Sequence, residues 1–251
     1  MSVVGETPIV LDAQHVSKTY GRDGGLLALD DVSMHVTEGE CVGLIGPSGS
    51  GKSTLANVIA RLLEPDSGRI SFNGASVDGR AGRLSRGERD RVRRAWLAMQ
   101  MVFQNPAASF SQGMRLGEAV FEGVRYLPGG SGLDKDALIR EAFGAVGLPS
   151  SYADKYAFEL SGGECQRAAI ARAIIGKPKL IICDEPTSSL DVTVQADVMR
   201  LLGGIREELG TSFLFISHNI ALVNEFCSRI YRIEGGRITG QLEACDQAHP
   251  R

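Results

Sequence analysis

One nine-residue segment limits what this chain can fold into more than any other. Residues 46–54 read Gly-Pro-Ser-Gly-Ser-Gly-Lys-Ser-Thr, which contains the phosphate-loop pattern Gly-x-x-x-x-Gly-Lys-Ser. A short apolar run, Cys41 to Ile45, comes directly before it. Apolar residues follow it at helical spacing, at Leu55, Ile59 and Leu62. The segment therefore predicts a strand, a phosphate-binding loop and a helix in succession.

The residue types in this loop suit a bound phosphate group. Glycines let consecutive backbone N–H groups turn towards one point, and a helix N-terminus adds a partial positive charge there. Lys52 can reach the β- and γ-phosphates, and the Ser53 hydroxyl can be a ligand of Mg²⁺. We therefore predict a nucleoside triphosphate site. Its residues are Gly46, Ser48, Gly49, Ser50, Gly51, Lys52, Ser53 and Thr54.

Composition places the chain among ordinary globular proteins. Its 251 residues are enough for one core, or for one core and a small subdomain. No apolar run approaches the roughly 18–20 residues that span a bilayer, and the N-terminus does not resemble a secretory signal. The five cysteines are scattered without a Cys-x-x-Cys pair, which favours a reducing compartment over disulfides or a zinc site.

Residues 80–94 contain seven arginines, interleaved with Glu88 and Asp90. A nucleic-acid surface is one interpretation of this segment. A solvated helix and loop is favoured, because the net charge of the chain is −3 and the segment contains no aromatic residue before Trp96. We expect no nucleic-acid partner.

Two further motifs accompany the phosphate loop. Leu180 to Cys183 reads as a buried strand, and Asp184 and Glu185 follow at its end. Asp184 can hold Mg²⁺, and Glu185 can take a proton from a water that attacks the γ-phosphate. In the other motif, Ser161 caps a helix and is followed by Gly162 and Gly163. This is a second anion-binding helix start, and it predicts a head-to-tail dimer in which each start serves the partner's nucleotide.

The order of the remaining elements predicts an α/β fold. Short strands near residues 9–16, 32–36 and 69–72 suggest a small antiparallel layer around the phosphate loop, whose helix runs to Pro65. Residues 105–160 read as an inserted, mostly helical subdomain, in which Asp134 is the N-cap of one helix. A parallel sheet is predicted by a strand at 180–183, a long helix to Gly210 and a strand at 212–216. Residues 230–238 are predicted to form a hairpin.

With these motifs in place, the sequence resembles the ATP-binding subunits of ABC transporters over nearly its whole length. Leu160 to Arg167 resembles the family's signature motif, and Gly46 to Thr54 and Leu180 to Glu185 resemble its two nucleotide motifs. The resemblance assigns roles to four more residues. These are Tyr20 (stacking on adenine), Gln104 (sensing Mg²⁺ and the attacking water), Asp191 (in the loop that crosses the dimer) and His218 (touching the γ-phosphate).

The resemblance implies a P-loop NTPase fold with a RecA-like parallel-sheet core, a small antiparallel β layer and an inserted α-helical subdomain. It implies a single ABC ATPase domain over residues 1–251. Within it, residues 1–104 and 165–251 form the nucleotide-binding core, and 105–164 form the helical subdomain with the signature. Glu185, His218 and Gln104 are the catalytic candidates, and Ser53, Gln104 and Asp184 the metal ligands for Mg²⁺ beside ATP.

A narrower resemblance, carried by Met101 to Pro106, Met114 to Val120 and Asp191 to Leu202, is to the importers of oligopeptides, dipeptides and nickel. It implies ATP hydrolysis that powers uptake of a peptide, nickel or metal chelate. The implied partners are transmembrane permease subunits, a second ATP-binding subunit (identical or related), and indirectly an extracytoplasmic solute-binding protein. The implied location is peripheral, on the cytoplasmic face of the cell membrane.

Other functions share this machinery. An ATPase of an exporter or cell-envelope complex is the nearest alternative. A soluble ABC ATPase acting on nucleic acid or ribosomes is less favoured, because the chain has one phosphate loop and no sustained heptads. Glu185 and His218 argue against a regulatory module without turnover. For the surface that receives the membrane subunit, we predict residues 105–160, with Phe103, Phe110 and Met114 exposed in a groove.

Overall fold

Two units make up the chain in the computed structural model, which describes residues 7–21, 25–78, 85–125 and 132–243. One unit consists of Met1–Trp96 and Ser212–Arg251, and the other of Leu97–Thr211. The inserted segment predicted from the sequence, 105–164, lies within the second unit. Its exact bounds stay a prediction.

The described residues form ten strands and seven α-helices. The strands are β1 (Ile9–Tyr20), β2 (Leu26–Thr37), β3 (Cys41–Ile45), β4 (Ser67–Phe72), β5 (Ala75–Asp78), β6 (Met99–Val102), β7 (Leu180–Asp184), β8 (Ser212–Ile216), β9 (Arg229–Glu234) and β10 (Arg237–Glu243). The helices are α1 (Lys52–Ile59), α2 (Arg86–Leu97), α3 (Leu116–Arg125), α4 (Lys135–Ala145), α5 (Gly162–Ile174), α6 (Val192–Leu209) and α7 (Ile220–Phe226). Short 3₁₀ turns at 107–109, 150–154 and 157–159 complete the described elements.

An antiparallel sheet of four strands lies in the first unit, in the order β2-β1-β4-β5. Buried and exposed residues mix along β1 and β2, as expected for a sheet with one covered face. Asn73 and Gly74 both have positive φ and form the turn between β4 and β5. The antiparallel layer predicted from the sequence is confirmed.

Parallel strands carry the motifs. In the first unit β3 pairs in parallel with both β8 and β9, and β10 closes a hairpin on β9. In the second unit β6 pairs in parallel with β7. Every residue of β3, β7 and β8 is buried, which explains their continuous apolar sequences. These strands and the hairpin match the sequence prediction.

Helix α1 is shorter than the sequence pattern predicted. It ends at Ile59, not near Pro65, because Arg61 adopts a left-handed conformation with φ 59°. The N–H of Leu62 then bonds back to the carbonyl of Asn57 at 2.9 Å, closing the helix end. Trp96 adds a tertiary contact, donating its indole N–H to the Ile59 carbonyl at 2.9 Å. Leu62, expected on the buried face, is 62% exposed.

Three of the described helices in the second unit begin at side-chain caps, two of which, Asp134 and Ser161, the sequence indicated. Asp134 accepts a hydrogen bond from the N–H of Ala137 at the start of α4. Ser161 caps α5, and Asp191 caps α6. Gly210, with φ 62°, ends α6 as predicted. Of the arginine-rich segment, α2 buries Val92 and Ala95 and leaves its arginines exposed, which confirms the solvated helix, while Arg80 and Arg83 lie outside the described residues.

A buried polar network holds β9 of the first unit. Arg229, only 9% exposed, makes a bidentate ion pair with Glu40, with distances of 2.9 Å (Nε–Oε1) and 2.7 Å (Nη2–Oε2). Its Nη1 lies 2.5 Å from Nε2 of His35. Burial and the adjacent Arg229 lower the pKa of His35 below its ordinary 6.5. Burial opposes ionisation of Glu40, but hydrogen bonds from Arg229 and Thr37 lower its pKa from 4.5.

We expect this network to make folding stability fall as the pH drops below about 6.5. Folded His35 binds a proton less readily than the unfolded chain does, so acid favours unfolding by at most about 1.4 kcal/mol per pH unit for one proton. Urea unfolding at pH 7.5 and 5.5 measures the loss, which should be smaller in His35→Gln. His15→Gln, at an exposed histidine paired with Asp31, is the control. An equal loss in His35→Gln and in the native chain would contradict the assignment.

Candidate functional site

The phosphate loop is wrapped around the ammonium group of Lys52. Its Nζ donates to the carbonyls of Gly46 at 2.9 Å and Pro47 at 2.8 Å, and Lys52 is 7% exposed. Helix α1 starts directly at Lys52, without an acidic residue in its first turn. A cation and a helix N-terminus with unopposed partial positive charge therefore share one concave loop, the arrangement that binds a polyphosphate.

Two glycines of the loop are required by close packing. A Cβ at Gly46 would lie 2.1 Å from the Ile233 carbonyl oxygen. Gly51 has φ 107°, and a Cβ there would lie 2.5 Å from the Ala28 carbonyl oxygen. The Ser50 hydroxyl is buried without a hydrogen-bond partner among the described residues. The loop is thus fixed by its surroundings in a conformation that only glycine permits at these positions.

Two further candidates lie in the same unit as the loop. Tyr20, at the end of β1, is 42% exposed, and its hydroxyl lies 3.4 Å from the Thr54 hydroxyl of α1. His218 lies two residues beyond β8, whose last residue Ile216 pairs with Leu44, two residues before Gly46. Both candidates are therefore held near the phosphate loop, Tyr20 beside α1 and His218 at the end of the neighbouring strand.

The acidic pair lies at the end of β7 in the second unit. Asp184 is its last residue and is 9% exposed. The side-chain N–H of Gln104, just after β6, donates to Oε2 of Glu185 at 3.3 Å. The parallel pairing of β6 with β7 accounts for this contact, because Val102 lies opposite Cys183. A carboxylate and an amide at one sheet edge can orient a water and take its proton.

Glu185 has a strained backbone, with φ 49°. The Ser188 hydroxyl donates to its carbonyl oxygen at 3.1 Å and helps to hold that conformation. Left-handed conformations cost a residue other than glycine roughly 1–2 kcal/mol. Such strain is concentrated at functional positions, which supports a chemical role for this side chain.

We therefore expect Glu185→Gly to be more stable than Glu185→Ala by about 1 kcal/mol, because only glycine relieves the left-handed strain. Both variants lose the carboxylate, so the difference between them reports the free-energy cost of the left-handed backbone conformation. Denaturant unfolding measures the difference. The same pair at Glu207, an exposed position inside α6, should give the opposite order by about 1 kcal/mol. If Glu185→Ala is as stable as Glu185→Gly, the backbone at this position is not strained.

The signature segment forms the capped start of α5. Ser161 is the N-cap, and its hydroxyl accepts from the N–H of Glu164 at 3.4 Å. A Cβ at Gly163 would lie 2.8 Å from Cγ1 of Val194, so this glycine lets α5 pack closely against the start of α6. Gly162 is exposed and would tolerate a Cβ, 3.7 Å from Leu190. The two glycines thus differ in role: one serves packing, and the other keeps the helix start open.

The Asp191 side chain caps its own helix, α6. Its carboxylate accepts from the N–H groups of Thr193 and Val194, at 3.1 and 3.0 Å, and caps α6. Because Val194 also contacts the position of Gly163, the capped start of α6 and the signature segment lie side by side. The role of Asp191 towards nucleotide stays a prediction.

The prediction that Phe110 is exposed in the groove for the membrane subunit is wrong. Phe110 is 6% exposed, and the Arg172 guanidinium lies 4.6 Å from its ring centroid. Arg172 also donates to the Ser109 carbonyl at 2.6 Å, which fixes the whole turn against α5. Phe110 is therefore a packing residue. Phe103 and Met114 are partly exposed and stay candidates.

Two residues next to the motifs make hydrogen bonds that the sequence did not assign. Glu164 completes a capping box, since its carboxylate accepts from the Ser161 N–H at 2.8 Å. The pattern Ser-x-x-Glu at 161–164 was the signal for it. Asn219, after His218, caps α7 by accepting from the N–H groups of Ala221 and Leu222. An asparagine there caps the helix without adding negative charge.

Comparison with known proteins gives matches over most of the chain. The family model described as ABC transporter matches residues 29–188. A Brucella ovis protein named for peptide import and ATP binding is 42% identical over 234 residues, covering 93% of this chain and 71% of its own. The oligopeptide transport ATP-binding protein OppF of Streptococcus mutans is 36% identical, covering 91% of this chain and 73% of its own.

Solved structures agree in fold. The cbiO1 structure from Clostridium perfringens, part of the ABC transporter complex cbiONQ, has a TM-score of 0.77 and 28% identity, covering 95% of this chain and 90% of its own. A dimeric ATP-binding cassette in a post-hydrolysis state with ADP and Pi has a TM-score of 0.75 and 29% identity, covering 93% and 98%. Within the described residues, no helix has the length and apolar composition needed to cross a bilayer.

Proposed function

Because the chain belongs to the ABC transporter family, as an ATP-binding P-loop ATPase, we propose that it powers uptake of peptides through separate membrane subunits. The observation that carries this proposal is the alignment of 93% of the chain with a relative named for peptide import, at 42% identity. Nickel or metal chelates are the other solutes of the importer type that the sequence resembles. The transporter would place the chain at the cytoplasmic face of the cell membrane.

The chemistry we propose is attack of water on the γ-phosphate of ATP. Lys52 and the N-terminus of α1 bind the phosphates, since both offer positive charge at one loop. Glu185 takes the proton from the attacking water, and Gln104, 3.3 Å from its carboxylate, orients that water. His218, beyond β8, touches the γ-phosphate, and Tyr20 stacks on the adenine.

The side chains proposed for the metal fit a hard cation. Ser53, Gln104 and Asp184 offer hydroxyl, amide and carboxylate oxygens, the donors that Mg²⁺ prefers. When bound, Mg²⁺ would neutralise charge on the β- and γ-phosphates. Asp184 is suited to this task because it is buried at the end of β7.

A second ATP-binding subunit completes the proposed site. The chain has two helix starts suited to phosphate, at Lys52 and after Ser161, and one nucleotide does not need both from a single chain. We infer that Ser161, Gly162 and Gly163 face the nucleotide of the partner subunit. Asp191, beside them at the start of α6, lies at the same interface.

Mixing two inactive variants tests this composite site. Lys52→Ala damages only the phosphate loop, and Ser161→Arg damages only the signature segment. In a mixed dimer one site carries both defects and the other carries neither, so the mixture should regain hydrolysis that each variant lacks. Lys52→Ala mixed with Lys52→Ala,Ser161→Arg is the control and should stay inactive. No recovery in exchanged, demonstrably mixed dimers would contradict the shared site.

Transport itself is tested with the membrane subunits. The tagged chain, expressed with its neighbouring permease and binding-protein genes, should co-purify with the permease subunits, and the binding protein should carry peptides identifiable by mass spectrometry. Vesicles containing the complex should take up that peptide only with ATP and binding protein. ATP-dependent release of solute without a binding protein would establish an exporter instead.

A further inference from the structure

The Ser161 hydroxyl is already engaged by a carboxylate of its own helix. It lies 2.8 Å from Oε2 of Glu164, to which it donates, and the Ser161 N–H donates to the same oxygen at 2.8 Å. A serine hydroxyl has a single proton to donate. Ser161 therefore cannot give a good hydrogen bond to a phosphate oxygen while it keeps this one.

Glu164 is also held from outside its helix. The Tyr152 hydroxyl donates to Oε1 of Glu164 at 2.7 Å, so all donors together keep the carboxylate charged and lower its pKa to about 2. Tyr152 belongs to the 3₁₀ turn 150–154, and the Lys155 ammonium lies 3.5 Å from its ring centroid. The orientation of the carboxylate is thus set by two elements.

The turn that carries Tyr152 is attached to α3. The Leu116 N–H donates to the Lys155 carbonyl at 2.8 Å, and Arg115 donates to the Asp154 carbonyl at 3.0 Å. A Cβ at Gly117 would lie 3.0 Å from Cβ of Ala153, so the helix and the turn are closely packed. Tyr152 therefore presents a fixed hydroxyl to Glu164, and an ordinary capping box would not need it.

We propose that Glu164, held by Tyr152, is a positioning residue that competes with the γ-phosphate for the Ser161 hydroxyl. The proposal rests on the proposed function, in which Ser161 binds the partner's nucleotide. Two effects act together: the hydroxyl must leave Glu164, and the incoming phosphates meet a fixed negative charge at the same helix start. Glu164 thereby raises the MgATP concentration at which the composite site closes.

Steady-state hydrolysis by the purified chain tests this inference. Glu164→Gln keeps an acceptor of the same shape but removes the charge, and we expect its KM for MgATP to fall about tenfold, since a hydrogen bond to a charged group is worth at least that factor. Tyr152→Phe should lower KM a few-fold. The double variant should match Glu164→Gln, because Tyr152 acts through Glu164.

Glu159→Gln is the matched control. Glu159 caps the preceding 3₁₀ turn by accepting from the Tyr156 N–H, so its loss tests the removal of a capping charge five residues away. Its KM should equal that of the native chain. A purely structural role for Glu164 predicts a lower melting temperature in Glu164→Gln with an unchanged or higher KM, which would overturn the proposal.

This design distinguishes failure of the Glu164 inference from failure of the proposed ATPase function. If Glu164→Gln does not fold, Tyr152→Phe decides, and an unchanged KM in that variant overturns the proposal. If the native chain hydrolyses ATP but no variant lowers KM, this inference fails and the ATPase function stands. If the native chain hydrolyses no ATP, both fail.

Discussion

Replacement of Glu185 by glutamine is expected to slow ATP hydrolysis by about 10²–10⁴-fold, the usual contribution of a general base. Glutamine has the shape of glutamate but cannot take the proton of the attacking water. The side-chain N–H of Gln104 lies 3.3 Å from the carboxylate of the native chain. Glutamine keeps an oxygen acceptor for this N–H, so Gln104 should stay in place. ATP affinity should be retained, and ATP should accumulate in a closed dimer.

Phosphate release under saturating MgATP, together with size-exclusion chromatography, measures both effects. Glu207→Gln, at an exposed position of α6, makes the same chemical change away from the motifs and should leave the rate unaltered. If Glu185→Gln hydrolyses ATP at the native rate, another residue is the base.

Replacement of Lys52 by alanine is expected to weaken MgATP binding at least tenfold and to abolish hydrolysis. A charge-assisted hydrogen bond contributes about 1.5–3 kcal/mol, and the ammonium group lies inside the phosphate loop, donating to the Gly46 and Pro47 carbonyls. Because the loop encloses this cation, its removal also leaves those carbonyls to face an incoming phosphate.

Equilibrium binding of a fluorescent ATP analogue measures the loss, with circular dichroism as the check on folding. Lys177→Ala removes an exposed lysine that is paired with Glu141 and should bind the analogue normally. If a folded Lys52→Ala variant binds the ATP analogue with native affinity, the assignment of the phosphate loop is wrong.

The elements predicted best from the sequence are those whose pattern is local. The buried strands β3, β7 and β8 appear as continuous apolar runs, and Asp134, Ser161 and Gly210 are residue types that begin or end helices by themselves. Their signals lie within a few residues of the structure they specify. The phosphate loop is of the same kind, since its glycines and lysine are adjacent.

The predictions that failed depend on partners distant in sequence. Helix α1 ends early at the left-handed Arg61, and Trp96, 37 positions from Ile59, supplies a donor to its last carbonyl. Phe110 is buried because Arg172, from α5, covers its ring. The tie between Tyr152 and Glu164 likewise joins two elements, and only their packing reveals it. Periodicity along one segment contains no information about such contacts.

Hydrolysis of MgATP by the purified chain in ¹⁸O-labelled water shows whether water attacks the γ-phosphate with Glu185 as the base. We predict ADP and inorganic phosphate in which one oxygen derives from the water, with formation of the labelled phosphate slowed in Glu185→Gln. Recovery of intact, bound ATP from the native chain after prolonged incubation would contradict it.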